Sequence, residues 1–234
     1  MRSSILSLTL LAGVPAVAIV GCSNAPQTMA GQQELDNSAQ RALGEALRRD
    51  PSLRQKLDNA AGYAVFPTVG EGGFIIGGGY GKGVLYEQHQ PVGYCDITNL
   101  SAGAKIGGQS YSQIIIFETQ KPLADFKNGR FSFAADASAV ALREGAAAST
   151  QFKENVAVFV YDQGGLMADA SIGGETFRFT PLEVAQQAAS TIEGEVTEQQ
   201  RQRHQQQLQQ HRQDMNMQSG QQRDVDVNIQ RDNR

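Results

Sequence analysis

Tryptophan is absent from this 234-residue chain, histidine occurs three times and cysteine only twice. Each scarcity removes a class of protein. Two cysteines, Cys22 and Cys95, cannot supply a disulfide framework. His204 and His211 lie in a polar tail and only His89 belongs to the domain, in a predicted hairpin loop Glu87-Gln88-His89-Gln90-Pro91, so no His or Cys pair has the spacing of a metal site. A nucleophile elbow is missing as well. Charged residues make up 19% of the chain and the formal net charge is -4. That is neither the basic excess of a nucleic-acid binder nor the composition of a disordered, solvating chain. The expectation is therefore no metal, no cofactor, no catalytic residue and no nucleic-acid partner. What is plentiful is glycine, at 25 residues, together with alanine. A core made of these with Phe, Val, Ile and Leu requires close backbone packing. A hydrophobic content of 40% suffices for one good core once a leader and a polar tail are set aside, so one globular domain is expected.

The amino terminus reads as a processing signal. Arg2 supplies a positive charge, and the uncharged run from Ile5 to Val20 is, at about sixteen residues, too short for a bilayer span of about twenty. It ends in Ile19-Val20-Gly21-Cys22, which resembles the lipobox of bacterial lipoproteins: a branched apolar residue, a small residue at the cut, then the cysteine that is acylated. The resemblance implies cleavage before Cys22 and a covalent lipid anchor on it. Ser23, in place of Asp, resembles the outer-membrane sorting pattern, which implies an envelope protein facing the periplasm. Residues 1–21 are thus expected to be the signal peptide. Residues 22–33, polar with one Pro, are expected to be a flexible tether.

Leu35, Ala39, Ala42, Leu43, Ala46 and Leu47 recur at three- and four-residue steps, which predicts a helix ending near Arg49. Asp50-Pro51 then predicts a second, short helix through Lys56 and Leu57, with Asp as its cap and Pro at its first position. From Ala61 to Thr180 the pattern changes to short apolar runs divided by glycine, the mark of strands and turns. Strands are predicted near residues 63–66, 73–80, 84–87, 92–98, 102–108, 113–119, 131–142, 156–161, 166–172 and 176–179. The continuous apolar runs at 114–117 and 156–160 suit strands covered on both faces. Leu123, Ala124 and Phe126 after Pro122 suggest a helical turn. Thr180-Pro181 opens a closing helix carrying Leu182, Val184, Ala185, Ala188, Ala189 and Ile192. The domain is expected to span 34–198, and the Gln-rich tail of 199–234 to be disordered or a frayed helical extension.

The glycine-rich stretch from Gly70 to Gly83 invites comparison with a phosphate loop and fails it. Gly81-Lys82 is followed by Gly83 instead of Ser or Thr, and strands flank it on both sides, so glycine-permitted bending of a sheet is the expectation. Cys95 reads as a small buried residue. Asp96, Asp136 and Asp169 are the acidic residues embedded in apolar runs. Each needs a partner there, for which Lys105, Arg143 or a backbone amide could serve, and Asp136 is a structural or ion-binding candidate.

Several motifs taken in order resemble the SYLF domain, a lipid-binding family of bacterial lipoproteins and of eukaryotic membrane and actin adaptors. They are Ala61-Gly62-Tyr63-Ala64-Val65-Phe66-Pro67; Gly73-Phe74 with Gly77-Gly78 and Gly81-Lys82-Gly83-Val84-Leu85; Ser101, Gly103, Ile106-Gly107 and Gln109; Ala135-Asp136-Ala137-Ser138; and Tyr161 with Gly165-Leu166 and Ala168. The resemblance runs from about Leu35 to Leu182. Where the family commonly carries Lys ahead of its Gly-Phe and Gly-Leu pairs, this chain has Glu71-Gly72 and Gln163-Gly164. It implies a compact α+β domain that binds lipid and performs no reaction. The expected architecture is a strongly bent, mainly antiparallel Gly/Ala-rich sheet, sandwich or barrel-like, covered by amino- and carboxy-terminal helices. Besides the covalent lipid at Cys22, the expected partner is anionic phospholipid, met by Lys82, Lys105, Lys121, Lys127 and Arg130 with Phe74 or Tyr80 as the apolar contact. The alternative is an envelope lipoprotein that contacts another protein or the cell wall through its Gln-rich tail.

Overall fold

Side chains alternate across a strand, and here the alternation divides the apolar residues into two sets with different chemistry. Tyr63, Val65, Val84, Tyr86, Tyr94, Ile114, Ile116, Phe159 and Tyr161 lie on one face of the sheet. Phe66, Leu85, Cys95, Ile97, Ile115, Phe117, Val158, Val160 and Phe177 lie on the other. The computed structural model describes residues 25–72, 76–102, 109–133, 138–162, 169–171 and 174–232. Its strands are β1 (Gly62–Gly72), β2 (Ile76–Glu87), β3 (Gln90–Ala102), β4 (Gln109–Phe117), β5 (Ser138–Ala141), β6 (Val156–Asp162), β7 (Asp169–Ser171) and β8 (Thr176–Pro181). They form one eight-stranded sheet in the order β7-β5-β6-β4-β1-β2-β3-β8. Every pairing is antiparallel except β5 with β6. The fold is α+β as expected, with a single open sheet in place of a closed barrel.

Helices α1 (Met29–Arg49), α2 (Leu53–Asn59) and the start of α5 (Leu182–Asp232) cover the first face. Buried Ala39, Ala42 and Ala46 let α1 lie close to the strands. The tyrosines beneath direct their hydroxyls to polar partners at the edge of this layer. Tyr161 donates to the Ala42 carbonyl at 2.7 Å and Tyr94 to Asp36 at 3.3 Å. Helix α3 (Gln120–Lys127) covers the second face through Leu123 and Phe126. There Phe117, Phe126, Phe131, Phe133 and Phe177 pack ring against ring at 5.0 to 6.2 Å. Two registers slip in β1 between Val65 and Val69, so Pro67 occupies a bulge where its missing N–H costs nothing. The glycines serve packing: a Cβ on Gly83 would meet Phe66 and the Val65 carbonyl at 2.7 Å.

Several expectations are corrected. Residues 29–33, assigned to the tether, are the first helical turn. Thr28 caps it by accepting from the Gly31 amide, and buried Gln32 donates to the carbonyls of Pro26 and Ala185. Asp50 does not cap α2, whose N-cap is Ser52. Its carboxylate accepts from Ser52 N and Oγ at 3.0 and 2.6 Å, from Gly145 N at 3.2 Å and from Ala147 N at 2.6 Å. It thereby caps the distant one-turn helix α4 (Ala146–Ser149). The described part of the predicted strand 73–80, from Ile76, and the predicted strand 84–87 form one strand, β2, because Gly81 and Gly83 fit where larger side chains would clash with β1. Of the predicted strand 131–142, Ser138–Ala141 forms β5 and Ser132 makes an isolated bridge to Thr176, while Phe131 and Phe133 pack on the aromatic face. The strand predicted over 102–108 falls almost wholly outside the described residues. Beyond Glu198 the chain is a continuation of α5, the helical one of the two alternatives.

Candidate functional site

Strands β1 to β3 are 11 to 13 residues long and outrun the helices laid across them. Where α1 stops covering the tyrosine face, the ladder continues as an open platform. Cross-strand partners share a face, so the row Thr68, Lys82, Asp96, Arg178 and the row Gly70, Tyr80, Thr98, Thr176 both extend the side that carries Val84 and Tyr86. Tyr80 is 47% exposed, one of the few large apolar side chains on the surface. Asp96 is only 2% exposed and pairs with the Arg178 guanidinium at 3.2 Å. An arginine on the last strand, not singled out in the sequence, is thus one partner of Asp96, while Lys105 lies outside the described residues. Burial pushes the Tyr80 phenol up, reinforced by the Asp96 charge and opposed by Arg178, so Tyr80 is neutral at physiological pH.

Beside this platform runs a groove of about 430 Å³ between the second half of α1 and the bulged stretch of β1, with β4 and β6 as its floor. Arg41, Glu45, Arg48 and Arg49 line it from the helix, at positions that share one side of α1. Glu45 binds Arg48 and, at 3.0 Å, Arg49, and these hydrogen bonds hold its carboxyl below the usual range. Arg49 also stacks 4.8 Å over the Tyr161 ring and donates to the Asp162 carbonyl at 3.3 Å. Thr68 belongs to both the groove and the platform row, so the two surfaces are continuous.

The residues singled out in the sequence do not gather at one place. Tyr80 and Lys82 belong to the platform. Lys121, Lys127 and Arg130 sit with α3 on the opposite, aromatic side, and each already has a carboxylate. Lys121 and Arg130 share Asp125 at 3.0 and 3.5 Å, while Lys127 pairs with Glu87 at 2.7 Å and lies 5.8 Å from the Phe179 ring centre. Lys121's hydrogen bond is the largest cause of the lowered Asp125 pKa. Cys22, Phe74, Lys105 and Asp136 lie outside the described residues, and the side chain of Asp169 is likewise undescribed. Cys95 is buried, and burial raises its thiol pKa well above normal. His89 forms the β2–β3 turn with Gln88, both at positive φ, and its ring meets the Tyr63 hydroxyl at 3.2 Å and Asp58 at 3.3 Å. No group of three His, Cys, Asp or Glu suited to a metal occurs among the described residues. Sequence reasoning missed Arg178 and the α1 arginines. Arg178 had a signal, since it alternates with Phe177 and Phe179 and so must face away from their core.

An open, mainly antiparallel sheet with helices on both faces thus carries a tyrosine-bearing platform at one end. Residues 98–181 match the Ysc84 family, described as Las17-binding protein actin regulator. The match bears out the sequence resemblance over that segment, and leaves the earlier motifs, Ala61–Pro67 and Gly73–Leu85, ahead of it. The chain is similar to Beta cell expansion factor A of Aeromonas veronii, at 26% identity over 144 residues. That stretch covers 61% of this chain and 55% of the relative, so the likeness spans little more than half of that protein's length.

Proposed function

We propose that this protein is a non-enzymatic bacterial lipoprotein, acylated at Cys22 and held on the periplasmic side of the outer membrane, whose domain binds anionic phospholipid through the platform around Tyr80. The observation that carries this reading is the uncovered end of the tyrosine face. It combines an exposed, neutral aromatic with Lys82 on β2 and Arg178 on β8. Tyrosine is suited to the water–lipid boundary, where one end of the ring is apolar and the other is wet. Each cation near an anionic surface contributes about 1 kcal/mol, and a covalent anchor raises the local concentration enough for a few to act. The lipobox-like Ile19-Val20-Gly21-Cys22 and the family match support the reading from independent directions. Because Ala25 and Pro26 are already packed, the three residue steps back to Cys22 can span at most about 10 Å. The leash is short.

Flotation of the full chain carrying Cys22→Ser with vesicles of phosphatidylcholine, with and without phosphatidylglycerol, tests the lipid part. Binding that requires the anionic lipid is expected, and indifference to both vesicles contradicts it. Mass spectrometry of the native protein should find a diacylated amino-terminal cysteine in place of Met1. A second reading, contact with an envelope protein through the tail, draws on the exposed stretch of α5, where Val196 and Leu208 are 46% and 51% exposed. Loss of co-purifying protein on truncation after Glu198, with lipid binding intact, would favour it.

A further inference from the structure

The groove on α1 holds more positive charge than its structural duties use. Arginines in the last turn of a helix offset the partial negative charge of its carboxyl end, which accounts for Arg48 and Arg49. Arg41 stands two turns earlier, outside that influence. It donates to the Ser38 hydroxyl at 2.9 Å and has no carboxylate partner among the described residues. A guanidinium presents five N–H donors, so Arg41 retains several for a ligand. Glu45 meanwhile fixes Arg48 and Arg49 on the same side of the helix, and the Arg49 guanidinium rests against the Tyr161 ring.

We propose that this groove is a phosphate-binding site, with Arg41 as the principal ligand-facing donor and the Glu45-held Arg48 as the second. The floor constrains the chemistry of the ligand. Ser112 donates its hydroxyl proton to the Pro67 carbonyl at 2.6 Å, and Tyr161 donates its own to the Ala42 carbonyl at 2.7 Å. These two floor hydroxyls therefore spend their protons on the protein, and the arginines are the charged donors that line the groove. Planar guanidinium forks match phosphate oxygens two at a time. A space of about 430 Å³ admits a phosphate with the small group esterified to it. A phosphate monoester, bearing more negative charge than a diester, is the ligand class that gains most from two arginines. This assignment deepens the membrane reading, on which its lipid arm rests, by giving the head group a seat next to the Tyr80 platform. The same chemistry would also accept a soluble phosphate.

The full chain carrying Cys22→Ser is titrated calorimetrically with inorganic phosphate and, separately, floated with phosphatidylcholine vesicles with and without phosphatidic acid. Arg41→Gln should weaken phosphate binding about tenfold, the effect of losing a charge-assisted pair. Glu45→Gln should tighten it by relieving repulsion, and Arg201→Gln, an equal charge change on remote α5, should leave it unaltered. If Arg41→Gln also weakens binding to phosphatidic acid vesicles, the occupant is a lipid head group. If phosphate binds through Arg41 but no vesicle does, the groove proposal stands with a soluble ligand and the membrane reading falls. If phosphate gives no binding heat, or if Arg41→Gln and Arg201→Gln behave alike, the groove proposal is overturned, whatever the vesicles do.

Discussion

The two faces of the sheet are buried to a similar depth but by different means. The aromatic face is closed by phenylalanines, which need no polar partner and therefore leave no opening. The helical face is lined by tyrosines, whose hydroxyls must reach an acceptor, and Tyr63, Tyr94 and Tyr161 do so at the margins of the helix layer. The same side then runs out into the platform and groove. The contrast indicates which side of the molecule is structural and which is available for binding. The cations of α3, on the closed side, each have a carboxylate, whereas Arg41 on the open side has none among the described residues.

Substitutions can break this contrast in a graded way. The largest effect should come from Phe126→Ala. Phe126 is fully buried and stacks with Phe117 and Phe177 at 5.1 Å each, so truncation should cost about 3 to 5 kcal/mol in urea unfolding. Lipid binding by the folded fraction should be unchanged. Next, Asp50→Ala should cost about 2 kcal/mol, because the amides of Ser52, Gly145 and Ala147 lose their acceptor. Burial alone would raise the Asp50 pKa, but those amides and the Ser52 hydroxyl outweigh it and hold the value below normal. A carboxyl with a depressed folded pKa stabilises above the unfolded value of about 4 and loses that contribution as pH falls through the folded value. Thermal melts between neutral and strongly acid pH should therefore converge for the wild type and Asp50→Ala. A smaller effect is expected from Lys82→Gln, about fivefold weaker binding to anionic vesicles with unchanged stability, while Lys121→Gln should leave both alone. The smallest should be Asp36→Asn. Burial raises the Asp36 pKa, and its Oδ1 is buried without a hydrogen-bond partner among the described residues, so neutralising it should stabilise by less than about 1 kcal/mol at neutral pH.

The sequence made one half of this picture readable. Ile114 to Phe117 and Val156 to Val160, continuous apolar runs, announced strands covered on both faces, and the Ala39, Ala42 and Ala46 stripe announced a helix lying close to a sheet. Features set by long-range pairing were hidden. The reach from Asp50 to Gly145 and Ala147 spans nearly a hundred residues, and no local pattern marks it. Thr28 and Gln32 looked like a polar linker because their partners, the Gly31 amide and the Ala185 carbonyl, appear only once the chain is folded. The site was half legible for a related reason. Alternation places Tyr80 and Lys82 on one face, but spacing alone cannot say that Lys121, Lys127 and Arg130 belong to the other.

The central claim is that the open end of the tyrosine face meets the membrane and the aromatic side does not. Because Cys95 is buried with its thiol pKa raised, a polarity-sensitive fluorophore can be attached selectively at Thr98→Cys or at Lys121→Cys in the Cys22→Ser full chain. On adding vesicles containing anionic phospholipid, the account predicts a blue-shifted, brighter signal from position 98 and no change from position 121. A response at 121 with silence at 98 would contradict it.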